Sequence, residues 1–79
     1  MTIEDRVRTI MSKLFGVDER DITPTSSQDT IDKWDSHGQM NLVVALEEEF
    51  AITLADEQIL ELLSFQLVCQ VVKQLCGRG

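Results

Sequence analysis

The sequence lacks any apolar run approaching the roughly 18–20 residues that a membrane-crossing helix needs. Its N-terminal residues include Glu4, Asp5, Arg6 and Arg8, and they contain no apolar stretch of the kind a signal peptide carries. A cytoplasmic setting is the expectation. The chain has one histidine, so no array of histidine ligands for a metal can form. Its two cysteines make no scaffold either. Cys69 and Cys76 fall on one predicted helix. Seven residues of helix separate them by about 10 Å along the axis. A disulfide needs α-carbons within about 7 Å. Both are therefore expected to be reduced thiols, one of them a small core residue. Strand-type alternation, internal repeats and low-complexity tracts are absent as well.

Basic residues are also scarce: 7 Lys and Arg stand against 14 Asp and Glu, for a net charge of −7. The distribution matters more than the total. Residues 1–15 carry +1, residues 16–64 carry −10, and residues 65–79 carry +2. An anionic block lies between two mildly basic ends. Nucleic acid, whose phosphates demand a basic footprint, is disfavoured as a partner. Basic protein partners found by electrostatic steering fit better, although acids also simply keep a small domain soluble.

The 79 residues suffice for a single domain, residues 1–79, with a core of marginal size. A first helix is predicted over residues 3–15. Thr2 is a good N-cap, Asp5 suits the positive end of the helix dipole, and Ile3, Val7, Ile10, Met11 and Leu14 follow helical spacing. Gly16 is a natural stop. Residues 16–35 read as a long loop anchored by Val17, Ile22, Ile31 and Trp34, with Pro24 and a Thr23-to-Ser27 polar cluster discouraging regular structure. Loops of this length in a small domain are usually functional or tied down. A second helix is predicted over residues 36–50, a short third over about 55–62, and a fourth over about 65–76, capped by Ser64 and ended by Gly77. The expected fold is all-α, a small four-helix bundle with a long first connection.

Ser36 stands at the mouth of the second helix. With Gln39 it fits a capping box, in which the hydroxyl accepts from an orphan backbone N–H and the glutamine reaches back. Leu42, Val43, Leu46 and Phe50 form the predicted core face. Met40 and Val44 lie on a second face with His37, which suggests a side offered to a partner. Asp35, Ser36 and His37 are the three residue types of a hydrolytic triad. Consecutive residues of a helix do not face one another, however, and no G-x-S-x-G elbow is present. No catalytic residue is assigned.

The segment WDSHGQMNLVVALEEEFAI, residues 34–52, closely resembles the modification site of acyl carrier proteins. The likeness continues through Ile52 and Asp56-Glu57, and the four-helix pattern extends it over essentially the whole chain. The resemblance implies a bundle of acyl-carrier type in which Ser36 holds a covalent 4'-phosphopantetheine arm derived from coenzyme A. It implies that Asp35 is recognised by a phosphopantetheinyl transferase. The further partners would be an acyl-loading ligase and acyl-transferring or acyl-modifying enzymes with basic docking surfaces. His37, Met40, Val44, Glu47, Glu48 and Asp56 are the partner-binding candidates. Val43, Leu46, Ile59 and Leu62 are the candidates for lining an acyl pocket. No metal site and no membrane span are expected, and a monomer suits a shuttle.

Two departures from the family pattern stand out. His37 occupies a position where the family usually has leucine or another bulky apolar residue. It is either a tolerated surface change or the sign of a different partner set. Asn41 stands where housekeeping fatty-acid carriers often have an acid. Both point towards a stand-alone carrier dedicated to a specialised pathway, with lipid, polyketide, amino-acid or surface-polysaccharide modification all open. An aminoacyl or peptidyl carrier shares the same serine and fold, and a helical adaptor that uses only the docking surface is a reading of a different class.

Overall fold

A computed structural model describes residues 2–76. Four α-helices follow one another: α1 (Ile3–Phe15), α2 (Ser36–Phe50), α3 (Asp56–Leu60) and α4 (Phe65–Leu75). There is no strand among the described residues, only an isolated bridge between Ser27 and Ser64. This is the small all-helical bundle of acyl-carrier type. α1 begins at a reciprocal cap, in which Thr2 and Asp5 each accept from the other's backbone N–H, and it ends at Gly16 in the left-handed conformation. Gly77, expected to close the last helix, lies outside the described residues.

The core draws on every helix except the short α3. Val7, Met11 and Phe15 come from α1, Leu42, Val43 and Leu46 from α2, and Phe65, Val68, Cys69, Val71 and Val72 from α4. Ile22, Ile31 and Trp34 enter it from the long first connection, and Leu54 and Leu62 from the segments flanking α3. Trp34 is fully buried and stacks on Phe15 with ring centroids 5.7 Å apart. Arg6 spans from α1 to the end of α2: it bonds the Glu49 carboxylate at 2.8 Å and lies over the Phe50 ring.

The connection from residue 16 to 35 is more ordered than its composition suggests. Glu19–Asp21 forms one 3-10 turn, started by the Asp18 side chain accepting from Arg20 N–H at 2.9 Å. Further on, the loop caps α4. The Ser26 carbonyl accepts from Phe65 N–H at 2.9 Å and the Pro24 carbonyl from Gln66 N–H at 3.1 Å. The first N–H groups of a helix have no partner within it, so an external chain that supplies carbonyls there is itself fixed in return. α3 is shorter than the expected 55–62. Ser64 must be extended to cap α4, accepting from Leu67 N–H at 3.3 Å; α3 ends at Leu60, Glu61 is its C-cap with a still right-handed backbone, and the chain is extended by Ser64.

Candidate functional site

The mouth of α2 departs from the expected capping box. Asp35, not Ser36, is the N-cap: its backbone is extended and its Oδ1 accepts from Gly38 N–H at 2.8 Å. Ser36 is the first helical residue. Aspartate and serine cap about equally well, and burial of Trp34 one residue earlier places Asp35 at the last extended position. The shift of one residue puts Gly38 at the position that would reciprocate. Having no side chain, it cannot.

Two consequences follow. The exposed Ser36 hydroxyl has no capping role, and Gln39 turns inward. The Gln39 side-chain carbonyl accepts from the Trp34 indole N–H at 2.6 Å, and its amide donates to the backbone carbonyls of Ile59 at 3.0 Å and Leu62 at 3.4 Å. One side chain thereby ties the end of the long loop, the first turn of α2 and the C-terminal end of α3 together.

Gly38 is required by close approach. A Cβ built there would lie 2.1 Å from the Lys33 carbonyl oxygen and 3.1 Å from the Phe15 ring. Sequence reasoning placed Gly38 in the motif but gave it no task. The packing of α2 directly on the loop backbone has no local signature.

Ser36 stands beside an open groove of about 360 Å³ lined by Gln28, Ser36, Gln39, Met40, Ile59, Leu60, Leu62 and Leu63. Its lip is unusually apolar for a surface: Met40 is 52% exposed, Leu60 76% and Leu63 59%. On the other side of the helix mouth, Lys33, Asp35, His37 and Asn41 line a more polar depression with Leu14, Phe15 and Gly38. The serine therefore sits between an apolar and a polar hollow.

The remaining residues singled out from the sequence fall into distinct places. His37, Met40, Val44 and Glu48 are exposed and share the outward side of α2. Glu47 is half-buried, and its carboxylate accepts from Leu54 N–H at 2.8 Å, holding the turn between α2 and α3. Asp56 is exposed at the start of α3, on a separate element. Of the four pocket candidates, Ile59 and Leu62 line the groove beside Ser36. Val43 and Leu46 are buried in the core.

Of the two cysteines, Cys69 is buried and Cys76 exposed, both as free thiols. Burial pushes the Cys69 thiol up to about 11, so it stays protonated and unreactive at neutral pH. No group of acidic, histidine and cysteine side chains among the described residues is arranged to hold a metal ion. No helix among them is long and apolar enough to cross a membrane.

The sequence matches the family model for the phosphopantetheine attachment site over residues 5–72. The match spans α1 through most of α4, and the chain belongs to this family. Its members bind a covalently attached 4'-phosphopantetheine group, and the chain has a phosphopantetheine-carrier role. Carrier domains of this kind work with a phosphopantetheinyl transferase and with partner enzymes. The residues present suit such a group. An exposed hydroxyl on the first turn of a helix has the positive end of the dipole behind it, which favours a phosphodiester.

Proposed function

We propose that this chain is an acyl carrier protein whose 4'-phosphopantetheine arm is attached to Ser36. The observation that carries the reading is the one-residue register of the α2 cap. Asp35 takes over the capping task, so the Ser36 hydroxyl is exposed and not needed as a cap, and it borders an apolar groove. The arm supplies a mobile thiol on which cargo is held as a thioester. The protein contributes address and shelter, and partner enzymes contribute the chemistry, so the chain is not itself an enzyme. It works as a cytoplasmic monomer.

The residues of the chain divide these tasks. Asp35 supplies both the cap and the acidic group that a transferase recognises. The outward side of α2 offers Met40 and Val44, each 52% exposed, as an apolar centre, with Glu48 at its edge and His37 near the arm. An apolar patch with a charged rim suits fast, reversible docking to basic partners. Asp56 extends the acidic surface onto α3. Glu47 serves the docking face indirectly, because its carboxylate already holds Leu54. The apolar groove favours acyl over aminoacyl or peptidyl cargo. His37, where leucine is usual, suits a specialised partner set rather than general fatty-acid synthesis.

Intact mass after incubation with coenzyme A and a broad-specificity phosphopantetheinyl transferase tests the assignment. The wild-type protein gains the mass of one arm and Ser36→Ala gains none, while both retain the same helical circular dichroism. An arm on folded Ser36→Ala would refute the site.

A further inference from the structure

Gln39 stands between the exposed serine and the interior. On α2 the residues Gln39, Val43 and Leu46 follow one another at helical spacing along the inward side. Val43 and Leu46 belong to the buried core, whereas Gln39 lines the groove beside Ser36. A chain entering from Ser36 between α2 and α3 meets Gln39 before it meets either apolar residue. The Gln39 amide crosses that route, bonded on one side to the Trp34 indole and on the other to the carbonyls of Ile59 and Leu62.

Passing it would break all three bonds and leave a buried indole N–H without a partner. Buried polar groups left unpaired are strongly disfavoured, and an alkyl chain brings no replacement donor or acceptor. The groove outside this barrier asks for no such rupture, since Met40, Leu60 and Leu63 already offer exposed apolar surface.

We propose that Gln39 is a specificity-determining latch that keeps acyl cargo in the surface groove and out of the bundle core. The inference rests on the reading that the Ser36 arm carries acyl groups. It assigns the shelter to Ile59, Leu60, Leu62, Leu63 and Met40, and it withholds that role from Val43 and Leu46. A long acyl chain gains little more protection than a short one, because the groove is open along its length.

Two measurements test this, one of which needs no arm. In the unmodified protein the single indole N–H, Trp34, gives one resonance whose hydrogen exchange reads the latch directly. It exchanges at least about tenfold faster in Gln39→Ala than in the wild type, as expected for loss of a local closing interaction. Gln39→Glu keeps an acceptor for the indole but has nothing to donate to Ile59 and Leu62, so it retains indole protection. Equal exchange in wild type and Gln39→Ala overturns the latch.

The second measurement loads hexanoyl or hexadecanoyl arms from the corresponding acyl-coenzyme A and follows thioester cleavage by hydroxylamine. Its nitrogen bonds the acyl carbon as the C–S bond breaks and the arm thiol leaves. In the wild type both chains are cleaved at the same rate within about twofold, while Gln39→Ala slows hexadecanoyl cleavage by about fivefold or more. Strong protection of the long chain in the wild type, or no gain in Gln39→Ala, overturns the proposal.

Gln39→Met, which keeps the length but not the polar groups, replaces Gln39→Ala if the latter melts without a cooperative transition. Intact mass is read first. A wild-type protein without an arm refutes the carrier reading and the cargo role with it, while the indole exchange still decides whether Gln39 is a latch.

Discussion

Asp35 and Ser36 are neighbours of which only Asp35 caps α2, and the difference is measurable. Asp35 accepts from Gly38 N–H and starts α2; Ser36 is exposed on its first turn. Asp35→Ala is expected to lower stability by about 1 kcal/mol through loss of the cap. Ser36→Ala should stay within about 0.5 kcal/mol of the wild type, as exposed substitutions without a structural partner do. Denaturant unfolding of the two variants checks this; a larger loss for Ser36→Ala would return the cap to the serine. On the proposed function Asp35 is doubly committed, to the cap and to the transferase. A variant that fails to be modified must be checked for its helix mouth before the defect is ascribed to transferase recognition.

The entry of α2 depends on a glycine for a reason specific to its packing. Glycine within a helix ordinarily costs about 1 kcal/mol relative to alanine, so Gly38→Ala would stabilise an isolated helix. Here the added Cβ would lie 2.1 Å from the Lys33 carbonyl oxygen, a backbone atom that cannot swing aside as a side chain can. Overpacking of this kind costs about 1–3 kcal/mol. The clash outweighs the propensity, and Gly38→Ala is expected to unfold at lower denaturant concentration than the wild type, with slower transferase loading because the helix mouth is displaced. An increase in stability would show that the loop yields to α2. The other elements were more legible. α1 and α4 carry strong apolar periodicity and good caps at Thr2 and Ser64, and their observed limits lie within a residue of those anticipated. α3 is shorter than anticipated because its end is decided by the needs of α4.

Across the whole molecule, exposed ion pairs lace α1 to its neighbours. Arg6 pairs with Glu49 on α2, and Glu4 pairs with Lys73 on α4. The Lys73 hydrogen bond holds the Glu4 carboxyl below its ordinary range, and the same bond raises Lys73. A depressed carboxyl contributes stability that is present above its unfolded pKa and is lost as pH falls through the folded one. The wild type should therefore lose stability relative to Glu4→Gln as pH drops from neutral through the carboxylate range. The two should converge at the acid end. The difference will be small and reduced by salt, since both side chains are substantially exposed. Parallel thermal melts of the two proteins over that range provide the check. A constant offset between them would show that the pair adds nothing.

The amino-acid sequence by itself determined the helices, the stops between them, the anionic middle and the serine motif. The helices are written in local spacing, as apolar residues at helical intervals, with capping residues before α1 and α4 and a glycine after α1. The tertiary structure alone decided which residue caps α2, where Gln39 points, that Glu47 holds Leu54, and that the long loop supplies carbonyls to α4. These choices depend on partners distant in the chain. Asp35 and Ser36 are about equal as caps in isolation, and burying Trp34 against Phe15 breaks the tie. Once Trp34 is inside, its indole N–H needs an acceptor, and Gln39 is the side chain within reach. A single buried polar group thus fixed the register that left the serine free.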